Sequence, residues 1–101
     1  MNITPKKITK AIRGLLAKEW RGQNPYAINC GNCEEFAGDI EKKLDVPGAE
    51  WIDCHCVFLH AGRYYDAENP EGVDSIEKLN VVKNAGREAY HKIMRKRLGL
   101  S

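Results

Sequence analysis

The sequence lacks any Gly-, Ser- or Pro-rich stretch that could separate two cores, and it shows no internal repeat or low-complexity segment. A chain of 101 residues without a linker is expected to form one domain over residues 1–101. It also lacks a long apolar run. Its N-terminal apolar positions are interrupted by Arg13 and Lys18, so they make neither a signal-peptide core nor a membrane span. A cytoplasmic protein without membrane association is expected. Charge of one sign is scarce as well: 16 Lys and Arg stand against 14 Asp and Glu, and a net +2 gives no reason to expect nucleic acid as a partner. The one basic cluster is in residues 85–101, where Arg87, Lys92, Arg95, Lys96 and Arg97 face only Glu88.

What is present excludes a disordered chain, since 43% hydrophobic residues with 30% charged ones is ordinary for a folded domain. Thr4-Pro5 opens a helix, with Thr as N-cap and Pro at the first position, and Ile8, Ala11, Ile12, Leu15, Leu16 and Trp20 recur on one face up to Gly22. A second helix starts at Asn32-Cys33. Asn32 and Glu35 have capping-box spacing, which sets Cys33 at the helix tip, and Cys33, Phe36, Ala37, Ile40 and Leu44 form one stripe before Val46-Pro47-Gly48. Gly38 costs about 1 kcal/mol relative to Ala in that helix, a cost that close approach to a sheet would offset.

Residues 51–60, WIDCHCVFLH, and 63–68, RYYDAE, read as two strands joined at Ala61-Gly62. With that two-residue loop Leu59 pairs with Tyr64, and Asp66 falls diagonally beside His55 on the face shared with Val57. Asn69 to Gly72 is a turn, Leu79 to Val82 suits a short third strand, and Asn84 caps a last helix with Tyr90, Met94 and Leu98 inward. Trp51, Tyr64 and Tyr65 are expected in the core.

The four cysteines, expected to be reduced in such a protein, admit three chemistries. Cys30, Cys33, Cys54 and Cys56 could staple a zinc ion, but Cys54-x-Cys56 lies in strand-like sequence without the glycine turn of a zinc knuckle. A thiol/disulfide pair would make Cys30 the reactive member, whereas the helix tip belongs to Cys33. In a hydrolase Cys33 is the nucleophile, His55 its base and Asp66 the group that orients the imidazole. Glu34 and Glu35 oppose a thiolate beside them, so His55 must outweigh both.

Gly31-Asn32-Cys33-Glu34-Glu35-Phe36-Ala37, then His55-Cys56-Val57-Phe58, then Gly62-Arg63-Tyr64-Tyr65-Asp66-Ala67 resembles the Cys, His, Asp core of transglutaminase-like and papain-like cysteine peptidases. The resemblance covers roughly residues 28–70. It implies an α+β fold with a minimal papain/transglutaminase-like core, the nucleophile helix packed on a small antiparallel sheet between N- and C-terminal helices. It further implies a peptidase, amidase, deamidase or acyltransferase acting on a protein, peptide or other amide through an acyl-thioester at Cys33, with no cofactor. Small proteins of this look are often encoded by phages. One departure concerns the oxyanion hole: where papain-like enzymes carry Gln, this chain has Ala27, and Gln23, Asn24 or Asn29 would have to substitute. The competing class is a binding module, zinc-stapled by its four cysteines or using its basic C-terminal helix on a partner.

Overall fold

Thr4 caps the first helix as its place before Pro5 requires, accepting the N–H of Lys7 at 3.2 Å. In the computed structural model, which describes residues 3–52 and 54–84, this helix, α1 (Pro5–Ala17), buries Ile8, Ala11, Ile12 and Leu15. It ends at Ala17, ahead of the expected Gly22. Trp20 follows in a turn and is buried, its Nε1–H donating to Asp39 Oδ2 at 2.8 Å.

A helix that the sequence reading did not anticipate comes next. Asn24 accepts the N–H of Tyr26 at 2.8 Å and Pro25 takes the first position of α2 (Pro25–Gly31), the same cap-and-proline device that starts α1. After the single residue Asn32 the chain re-enters a helix, α3 (Cys33–Leu44), which buries Phe36, Ala37 and Ile40. The expected capping box is absent: the Asn32 N–H that Glu35 would take donates to Ile28 O at 2.8 Å, and the Asn32 side chain, on a backbone at ψ 27° instead of the extended value of a usual N-cap, makes no cap bond. Gly38 likewise makes no close approach to the sheet, since a Cβ there would meet nothing within 4 Å. Asp45, in the left-handed region at φ 56°, terminates α3, and Glu41 ties the exit down by accepting the N–H groups of Gly48 and Ala49 at 2.9 and 3.0 Å. Those two bonds lower the Glu41 pKa, Ala49 contributing most.

The apolar segment at 51–60 is two strands, not one. β1 (Ala49–Ile52) and β2 (His55–His60) run antiparallel with Trp51 opposite Cys56 and Ile52 opposite His55, so the chain reverses between Ile52 and His55. β3 (Arg63–Tyr65) returns across Ala61-Gly62 with Leu59 opposite Tyr64, the expected register. Ala61 and Gly62 have φ of 49° and 78°, the paired positive values that suit a two-residue hairpin loop. The sheet order is β1-β2-β3, and the fold is α+β.

β2 is buried on both faces. Phe58 packs with Ile12, Phe36, Ile40 and Tyr65 under α1 and α3, while its neighbour Val57 packs with Ile52, Ile76, Leu79 and Val82 on the other side. That second layer corrects another expectation. Leu79 to Val82 form no strand: a 3₁₀ turn at Ile76–Lys78 leads into α4 (Asn80–Asn84), so Asn84 is itself helical and is not the cap that precedes a helix. A bridge between Tyr64 and Val73 brings this segment back to the sheet. The expected stripe of Tyr90, Met94 and Leu98, and the basic cluster around it, lie outside the described residues.

Candidate active site

Asp66 is the first residue beyond β3 and is buried, 2% exposed. Its Oδ1 accepts the backbone N–H groups of Glu68 and Asn69 at 3.0 and 2.8 Å, which holds the carboxylate in one orientation. Its Oδ2 lies 3.0 Å from Nε2 of His55, itself only 3% exposed. A carboxylate that already takes two N–H groups acts as an acceptor, so Nε2 carries the shared proton. In the neutral imidazole Nδ1 then holds the lone pair, and this atom is buried without a hydrogen-bond partner among the described residues.

Cys33 occupies the first position of α3 and is half-buried. β3 pairs with β2 only as far as Phe58, and beyond it the N–H of Cys56 donates to Cys33 Sγ at 3.3 Å. The sulfur thus stands where a ladder carbonyl would, in the plane of the sheet, because strand N–H groups lie in that plane. Cys56 N is bonded to the carbonyl carbon of His55, so standard peptide geometry puts His55 Cα within about 6 Å of Cys33 Sγ. Sulfur and ring are not hydrogen-bonded to each other; Sγ takes the Cys56 amide and Nδ1 stays unpartnered.

Of the amides named for an oxyanion hole, Gln23 is exposed and the Asn24 side chain is spent capping α2. Asn29 is buried, and its Nδ2 donates to Glu68 Oε1 at 2.9 Å. Asn29, Glu68, Asp66 and His55 are therefore one connected set, Glu68 bonding Asn29 by its side chain and Asp66 by its backbone N–H. Glu68 was missed by sequence reading, which had no motif to single it out. The first-turn amides of α3, left without a side-chain cap, are the other donors near the sulfur.

The zinc-stapled alternative is not supported by this arrangement. Cys30 and Cys54 are exposed while Cys56 is buried, and no group of three or more His, Cys, Asp or Glu among the described residues is placed to hold a metal. Burial pushes the Cys56 thiol from its ordinary value of 9.0 up to about 11, helped by the nearby Cys33, Glu34, Glu41 and Glu50, so near neutral pH it keeps its proton and is a poor nucleophile. A further correction concerns Trp51: expected in the core, it is 51% exposed on the edge strand β1. Tyr65 is buried as expected and Tyr64 half-buried. Among the described residues no helix is long and apolar enough to cross a membrane.

In comparisons with known proteins the chain matches no family model, no curated protein and no solved structure.

Proposed function

We propose that this chain is a cysteine hydrolase or acyltransferase of the peptidase, amidase or deamidase type, built on a minimal transglutaminase/papain-like core. The observation that carries the reading is the buried His55–Asp66 pair, whose free ring nitrogen belongs to the residue next to the amide that holds the Cys33 sulfur. Nδ1 takes the thiol proton as the sulfur attacks the acyl carbonyl, and the imidazolium so formed is stabilised by Asp66 through Nε2–H. Amides of the first turn of α3, with that of Cys56, are the donors nearest the developing oxyanion. Collapse expels the amine, which takes the proton from Nδ1, and leaves a thioester on Cys33. Water or an amine then attacks the thioester, with Nδ1 as base, and Cys33 is released as the thiol.

Alkylation by iodoacetamide tests this. Near pH 7, where an ordinary thiol is mostly protonated, Cys33 should react faster than the more exposed Cys30 and Cys54. His55→Ala should slow it about tenfold, the change in thiolate fraction that one pKa unit makes, and Asp66→Asn should slow it less. Equal, slow labelling of Cys30, Cys33 and Cys54, indifferent to His55→Ala, would make Cys33 a structural thiol and end the hydrolase reading.

A further inference from the structure

Asn29 is a buried amide, 5% exposed, inside the short helix α2, where an apolar side chain would need no hydrogen-bond partner. Its partner is distant in the chain. Asn29 Nδ2–H donates to Glu68 Oε1 at 2.9 Å, across a sequence separation of 39 residues. The bond joins two segments that carry different halves of the candidate site. α2 ends at Gly31, and only Asn32 separates it from Cys33 at the start of α3. Glu68 follows Asp66 by two residues, and its N–H donates at 3.0 Å to Asp66 Oδ1, the carboxylate whose other oxygen meets His55 Nε2 at 3.0 Å.

At the sulfur itself the two halves meet through the Cys56 N–H at 3.3 Å, and sulfur is a weak acceptor. An amide bonded to a carboxylate is the stronger contact, because it is charge-assisted and partly shielded from water. Ala67, between Asp66 and Glu68, lies in the same core cluster as Ile28, the residue before Asn29. Apolar burial thus gathers this turn and α2 into one core, but burial has no direction and tolerates sliding. A hydrogen bond does not, since it weakens steeply with distance and angle. Proton transfer from the Cys33 sulfur to Nδ1 of His55 is sensitive to displacements of the same small size.

We infer that Asn29 and Glu68 are a positioning pair: their hydrogen bond sets the helix that leads into Cys33 against the turn that holds Asp66, and so fixes the sulfur relative to His55 Nδ1. Both act through Cys33 and His55 and not on the substrate. For Asn29 this is a task other than oxyanion binding. The inference rests on the proposed hydrolase reading and adds the residues that keep its two halves in register.

Iodoacetamide alkylation of Cys33 near pH 7, with the exposed Cys54 as internal reference, tests the pair. Asn29→Leu, which fills the buried site with a side chain of similar shape, and Glu68→Ala should each slow Cys33 about threefold, the change that half a pKa unit makes, and leave Cys54 unchanged. Because both break one bond, the double variant should be no slower than either. Glu68→Gln, which keeps an acceptor oxygen for the Asn29 amide, should recover most of the rate lost in Glu68→Ala. Asn29→Asp combined with Glu68→Gln reverses donor and acceptor across the same gap and should recover it too. In a His55→Ala background none of these substitutions should slow Cys33 further, since the pair works through the imidazole, whereas a general loosening of the fold would act in both backgrounds. Asn29→Leu and Glu68→Ala proteins that melt earlier yet label Cys33 at the unaltered rate would make the bond structural only and overturn the assignment, with slow labelling in His55→Ala still supporting the hydrolase. Labelling of Cys33 that is indifferent to His55→Ala overturns both.

Discussion

His55 Nε2 and Asp66 Oδ2 meet at 3.0 Å in the interior, while the other carboxylate oxygen of Asp66 is held by two backbone amides. The ring is thus anchored at one end only. Asp66→Asn can keep the bonds to Glu68 and Asn69, but its amide N–H groups then confront Nε2–H, and the ring must move its proton to Nδ1. Urea unfolding should show a loss of about 1 kcal/mol for Asp66→Asn. Asp66→Ala, which strands Nε2–H and the Glu68 N–H and leaves the Asn69 N–H only the backbone carbonyl of residue 66 at 3.2 Å, should lose about 3 kcal/mol. Equal stability of Asp66→Ala and the unaltered protein would show that this pair holds nothing together.

The Cys56 thiol gives a pH dependence of definite sign. Its folded pKa, about 11, is above its ordinary value of 9.0, so between these values the unfolded chain releases a proton that the folded chain retains. Stability is intact below pH 9.0 and falls as pH rises toward about 11. Burial raises the Tyr65 pKa and acts in the same direction, so the comparison must be with Cys56→Ala. Chemical unfolding at pH 8 and pH 10.5 should show the smaller alkaline loss in Cys56→Ala.

Glu41 predicts the opposite slope on the acid side. Its pKa is lowered from 4.5 by the amides of Ala49 and Gly48, so the carboxylate is favoured in the folded chain. The contribution is present above pH 4.5 and is lost as pH falls through the folded value. Glu41→Gln keeps an acceptor for the same amides but cannot titrate. Its stability should fall less steeply between pH 5 and pH 3, as followed by urea midpoints.

Two glycines should respond to alanine with opposite signs. Gly72 has φ +78°, and a Cβ there would lie 2.6 Å from the Tyr65 ring, so Gly72→Ala should destabilise by about 2 kcal/mol, the sum of backbone strain and displacement of a core ring. Gly38 lies inside α3 with nothing within 4 Å of the position a Cβ would take, and Gly38→Ala should stabilise by about 0.5–1 kcal/mol. Thermal unfolding of both variants in one buffer decides the matter.

Local chemistry made several features legible in the linear chain. Thr4-Pro5 sets the start of α1 because a hydroxyl cap and a proline at the first position act within one turn. Ala61-Gly62 sets the β2–β3 register because a two-residue loop leaves one pairing, and that register brings Asp66 back toward His55. Asn24-Pro25 carries the same helix-start signal, but the seven residues of Pro25–Gly31 show too little apolar periodicity to mark a helix in the sequence.

Packing decided the rest. Leu79 to Val82 suit a strand by composition, yet they lie in a helical segment whose apolar side covers Ile52 and Val57, since short segments take the conformation that best buries them. The division of the apolar segment after Ile52 depends on β2 being central and β1 being its edge, which alternation along one strand cannot reveal. The exposure of Trp51 follows from that edge position, and the seat of the Cys33 sulfur on the Cys56 amide follows from where β3 stops. Helix starts and tight turns were readable from the sequence because they are decided by neighbours in the chain. Which strand is an edge, and which side chain stays uncovered, was decided only when distant segments competed for the same surface.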